Sequence, residues 1–130
     1  KMVQAKVAMA QKKPQAAIKA LKLMASQTEQ PPLSALAELR LARILLDQSH
    51  DQEALGYLQH IALEPFKTWS NLYQGIIYER LHNRNQAHTA YGRLLAAGIQ
   101  QWLSPAVIAQ IKLRYVMTGP LPAIIKPDAL

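Results

Sequence analysis

No cysteine occurs in the 130-residue chain, which excludes disulfides, thiolate metal sites and a thiol nucleophile. A cysteine-free composition suits cytosol and periplasm equally, so the compartment stays open. Glycine is scarce at 5 residues and aromatic residues make up 6%. Ala, Leu, Gln and Lys dominate instead, a composition that favours an all-α fold. No apolar run approaches the roughly 18–20 residues of a membrane span, and no basic-then-apolar leader is present. The chain starts at Lys1 inside a segment that reads as helix, so the expectation is an excised piece, from which an anchor or leader could have been removed upstream.

Acidic residues are missing from the first part of the chain. Lys1, Lys6, Lys12, Lys13, Lys19 and Lys22 all precede the first acid, Glu29, and account for most of the net charge of +7. Two readings stand. The lysines are the solvated faces of two helices, or they form a patch for anionic lipid head groups, nucleic acid or an acidic partner. No aromatic residue or arginine interleaves with them as a nucleic-acid groove requires, so no nucleic acid is expected.

Catalytic chemistry is absent as well. The eight acids are scattered, with no pair set at helical spacing around an apolar pocket for acid–base work. There is no glycine-rich phosphate loop, and none of His50, His60, His82 and His88 has a metal-ligand spacing beside it. The histidines read as turn and exposed residues, and Ser34, Ser70 and Ser104 as helix-start or surface residues. No enzyme, cofactor or metal is expected.

What the chain does contain is enough apolar sequence for one domain, able to bury about two thirds of its unfolded surface. Apolar spacing predicts helices over Met2–Gln11, Pro14–Gln27, Leu33–Gln48, Gln52–Leu63, Lys67–Leu81, Gln86–Ala97 and Pro105–Met117. Thr28–Pro32 is expected to be a loop, because paired prolines do not sit inside a helix. Gly98 stops one helix, and Ser104 before Pro105 starts the next. Residues 120–130, with three prolines, read as an extended tail.

A pattern runs through these helices. Ala42, Leu45, Ala54 and Leu58 recur 33 residues later as Gly75, Tyr78, Ala87 and Tyr91. Small residues let the two helices of a hairpin approach, and the large ones fill the gap to the next unit. A weaker copy, with Ala5, Ala8, Ala17 and Leu21, lies 37 residues earlier. These residues resemble the tetratricopeptide repeat, a helical hairpin of about 34 residues. The resemblance implies a right-handed superhelix of about three hairpins over 2–27, 33–64 and 67–97, a closing helix over 105–117, and a repeat domain spanning 1–119.

In that family the first helix of each hairpin lines the concave surface. Carried over, this implies a partner-binding groove from Met2, Lys6 and Met9, then Leu39, Arg43, Leu46 and Asp47. Trp69, Leu72, Ile76, Glu79 and Arg80 follow, with Gln110, Leu113 and Arg114 from the closing helix. So much Leu, Ile, Met and Trp suits an apolar or extended polypeptide better than a Lys/Arg carboxylate clamp. The alternative is that the closing helix, or Leu121, Ile124 and Ile125, fills the groove of its own or a neighbouring molecule.

A narrower resemblance covers residues 14–118. AELRLARILLDQ (Ala37–Gln48), Gly75 with Ala87 and Ala90-Tyr91, and SPAVIAQIKLRYV (Ser104–Val116) are similar to the periplasmic domain of the YfgM family, an ancillary subunit of the Sec translocon. The resemblance implies a non-catalytic interaction domain on the periplasmic side of the inner membrane, held by a span outside this chain. Its partners would be Sec translocon subunits, a membrane-anchored chaperone of the peptidyl-prolyl isomerase-like type, and emerging secretory chains. The alternative is a structural, self-assembling or adaptor domain of another envelope or secretion complex, and thus a homo-oligomer.

Overall fold

A computed structural model describes residues 14–120 as six helices. They are α1 (Pro14–Gln27), α2 (Pro31–Asp47), α3 (Asp51–Leu58), α4 (Phe66–Arg80), α5 (Arg84–Ala96) and α6 (Pro105–Thr118), with a 3-10 turn at Ile99–Gln101. No strand occurs among the described residues, so the expected all-α fold is the observed one. The predicted helix over 2–11, the groove residues Met2, Lys6 and Met9, and the tail beyond Pro120 lie outside the described residues.

Most helix ends fall within two residues of the sequence reading, and at two of them the difference has a visible cause. Pro31 and Pro32 are not loop residues but the first turn of α2, with Gln30 as N-cap in the extended conformation that a following proline imposes. The first amides of a helix have no intrahelical partner, so prolines there forfeit no hydrogen bond. Helix α3 ends at Leu58 and not at Leu63. His60 and Ile61 close its end with short bonds to the Tyr57 and Leu58 carbonyls at 3.3 and 3.2 Å.

That early stop explains a buried serine. Ser70, expected near a surface, is fully buried in α4 and donates to the Leu58 carbonyl at 2.6 Å, a second and shorter bond to the acceptor that the Ile61 amide also reaches. Gln74 donates to Ser70 Oγ at 3.0 Å one turn further on. Ser104, by contrast, is the expected N-cap, accepting from the Val107 amide at 3.3 Å.

The turns after α2 and α4 are built alike. Ser49 and His82, 33 residues apart, both take the left-handed conformation, with φ of 63° and 60°. Each is flanked by the same bond pair: Ser49 to the Leu46 carbonyl and His50 to Leu45 in the first, His82 to Glu79 and Asn83 to Tyr78 in the second. This is the Schellman helix ending, here without its usual glycine.

Neighbours in sequence pack as neighbours in space, α1 on α2, α2 on α3, α4 on α5 and α5 on α6. Between hairpins, α4 packs on both α2 and α3. All eight residues of the repeated pattern are buried, Ala42, Leu45, Ala54 and Leu58 in one hairpin and Gly75, Tyr78, Ala87 and Tyr91 in the next. The two tyrosines do different things. Tyr78 accepts a bond from Gln59 at 3.3 Å and so ties back to the preceding unit. Tyr91 lays its ring on Gly75 of its own hairpin, where a Cβ would fall 2.5 Å from the ring.

Candidate functional site

Helix α4 packs directly on α2 but barely meets α6, although α5 packs against both α4 and α6. The gap is a cavity of about 620 Å³. Leu72 and Ile76 of α4 form one apolar wall, and Val107 and Ile111 of α6 the other, one turn apart on one stripe. Tyr91, 1% exposed, contributes from α5, and Glu79, Arg80, Gln110 and Arg114 complete the lining.

Three polar groups of this lining, Tyr91, Glu79 and Arg114, are bound to one another. Glu79 Oε2 accepts from the Tyr91 hydroxyl at 3.0 Å and sits 3.7 Å from Arg114 Nε. Burial, and next the hydrogen bond to Glu79, push the Tyr91 phenol above its ordinary pKa, with the Arg114 charge opposing. Arg80 reaches back 34 residues to donate to the Leu46 carbonyl at 3.2 Å, and lies 3.2 Å from Asp51. It therefore stitches hairpin to hairpin and closes the end of α2. Arg43 pairs with Asp47 at 3.3 Å and stands over the Tyr73 ring at 5.7 Å. Its bond to the Tyr73 hydroxyl, outweighing desolvation, raises its pKa. Three arginines along the first helices are thus each matched within the fold, which leaves the cavity nearly neutral and apolar.

Of the groove residues read from sequence, Leu72, Ile76, Glu79, Arg80, Gln110 and Arg114 meet around this cavity. Leu39, Arg43 and Trp69 stand outside its lining; Trp69 is tilted against Tyr73 with ring centroids 6.3 Å apart. Leu46 is buried in the core, and Asp47 is spent on Arg43. Leu113 does not line the cavity and is 51% exposed, because two residues beyond Ile111 it points about 200° away around the helix. Val107 and Ile111 were not singled out by sequence reasoning. Their signal was present: with Gln110 and Arg114 they complete the i, i+3, i+4, i+7 stripe of α6.

The far end of α6 is held by α5. Arg84 donates to the Met117 and Gly119 carbonyls at 3.0 and 2.8 Å. His88, one turn on, is half-buried and not exposed as expected; its Nδ1 lies 2.8 Å from the Tyr115 carbonyl and its ring stacks on Tyr115 at 4.1 Å. Two basic side chains at i and i+4 thereby satisfy carbonyls that a helix end leaves open. In the lysine-rich segment, Lys22 pairs with Glu53 at 3.4 Å, while Lys19 is exposed.

Among the described residues no cluster of His, Cys, Asp and Glu could hold a metal ion, and no helix is long and apolar enough to cross a membrane. Residues 1–117 match the family described as tetratricopeptide repeat-like domain. No curated protein and no solved structure matches the chain.

Proposed function

The chain belongs to the tetratricopeptide repeat-like domain family, a class of protein-interaction modules, and on that premise we propose that it holds a polypeptide segment in the cleft between α4 and α6. The carrying observation is the cleft itself: about 620 Å³, walled by Leu72, Ile76, Val107 and Ile111, with its charged groups already paired. Such a lining offers apolar contact and few free charges, so it suits an extended apolar segment over an acidic one.

The finer proposal is that the domain serves protein export as the periplasmic part of a membrane-anchored accessory subunit of the Sec translocon. The segment held would then come from a translocon subunit, a membrane-anchored periplasmic chaperone or an emerging secretory chain. Support for this reading comes from the similarity of Ala37–Gln48 and Ser104–Val116 to that accessory family, and from the apolar cleft, one wall of which Ser104–Val116 supplies.

Leu72→Glu together with Ile76→Glu tests it. Both side chains are half-buried at the cleft wall, so helicity by circular dichroism stays unchanged. Recovery of the Sec translocon from detergent-solubilised inner membranes falls at least about tenfold. Equal recovery by the wild-type and double-variant domains removes the cleft from the account.

A further inference from the structure

Helix α6 is apolar on the side turned away from the fold as well as on the side packed into it. Val107, Ile108, Ile111 and Tyr115 face inward. Ala106, Ala109, Leu113 and Val116 are all exposed, at the i, i+3, i+7, i+10 spacing of a single stripe. Leu113 is 51%, Val116 73% and neighbouring Met117 53% exposed. A helix with apolar stripes on two faces has two faces to cover, and α6 is covered on one alone. Where earlier first helices receive a second helix of their own hairpin, α6 has none among the described residues.

Charge says what covers it. Helix α6 contains no acidic residue, and Lys112 and Arg114 flank the stripe. Lys112 forms no ion pair among the described residues, and Arg114 is half exposed and 3.7 Å from its one carboxylate. The chain's own surfaces match this poorly. A second α6, parallel or antiparallel about a two-fold axis, sets cationic flank against cationic flank. The helix at the opposite end of the described residues, α1, stacked head to tail, brings Lys19 and Lys22 and no acid. Residues 121–130 offer one acid, Asp128, offset by Lys126, and their two prolines oppose a helix.

We propose that the outward face of α6 docks an amphipathic helix of a different protein, whose stripe of Leu, Ile, Val or Met is flanked by Glu or Asp. That helix packs on α6 as α3 packs on α2 and α5 on α4, and its acids face Lys112, Arg114 being held by Glu79 on the cleft side. The surface is distinct from the cleft, since Leu113 and Val116 point away from the cavity lining.

The test uses the whole 130-residue chain and a fluorescein-labelled peptide of about eighteen residues, with leucines at i, i+3, i+4 and i+7 and glutamates beside them. A second peptide carries lysines in place of the glutamates. By fluorescence anisotropy the acidic peptide binds more tightly than the basic one, and added salt narrows the difference. Leu113→Ser with Val116→Ser lowers its affinity at least about tenfold. Both side chains face solvent, so the circular dichroism spectrum is unchanged. Lys112→Glu reverses the preference between the two peptides. Leu72→Glu with Ile76→Glu leaves peptide binding intact, so the cleft and this face can fail separately.

Five outcomes overturn the proposal. The basic peptide binds as well as the acidic one, or the Leu113 and Val116 variant binds unchanged. Sedimentation shows a dimer that the same variant dissolves, which assigns the face to a second copy. Removing residues 121–130 raises peptide affinity more than about tenfold, which assigns it to the tail. Finally, the chain binds vesicles of anionic phosphatidylglycerol through Leu113 and Val116, which assigns it to a membrane surface.

Discussion

Glycine carries two opposite roles at two positions of this chain. At Gly75 a Cβ would meet the ring of Tyr91 at 2.5 Å, and that ring is 1% exposed and tied through its hydroxyl to Glu79. Gly75→Ala therefore overpacks the α4–α5 contact and lowers stability by about 1–3 kcal/mol, more than the helix-propensity gain of about 1 kcal/mol returns. At Gly56, exposed in α3, a Cβ meets nothing within 4 Å, and Gly56→Ala raises stability by about 0.5–1 kcal/mol. Urea denaturation of the two variants reads the opposite signs. Tyr91 adds a pH dependence. Its folded pKa is raised above the unfolded value, so its contribution is complete below about pH 10 and is lost as pH rises through the folded value. Stability falls above about pH 10, and Tyr91→Phe makes that fall shallower while costing about 1 kcal/mol at neutral pH for the lost bond to Glu79.

At the level of the elements, the two left-handed residues Ser49 and His82 mark where the repeat is written into the backbone. A side chain in that conformation costs about 1 kcal/mol, so Ser49→Gly and His82→Gly each raise the urea midpoint by a corresponding amount, unless loss of the Arg80 contact to Ser49 offsets the first. Here the limits of sequence reading are physical. Helix number and the 33-residue period were legible because small and large side chains recur at fixed spacing. The end of α3 was not, since it is set by His60, Ile61 and a serine twelve residues beyond Leu58 that satisfies its carbonyl. Nor was the half-burial of His88, which depends on where the α6 C-terminus lands against α5. In the cleft, Leu72 and Ile76 followed from the repeat register, whereas Leu113 did not belong there because the register of α6 turns Val107 and Ile111 inward. The paired prolines of α2 show the same thing in reverse: proline excludes a helix interior, yet a helix's first turn accepts two.

For the whole molecule, the first helices α2 and α4 stack while α4 and α6 part, and the arginines that could draw anions are matched internally. The two surfaces proposed for binding are apolar: a cleft between hairpins and the outer face of the last helix. Because the cleft works through apolar contact, raising salt from low to about 0.5 M leaves capture there nearly unchanged, while binding on the α6 face weakens. The most direct measurement replaces Ile76, at the cleft wall, with a photo-crosslinking amino acid in living bacteria, with exposed Leu63 replaced as the control. A polypeptide crosslinked at position 76 and absent at position 63, identified by mass spectrometry as a translocon subunit, its chaperone or a secretory chain, is the predicted result. No crosslink at position 76, or equal labelling at both positions, contradicts the account.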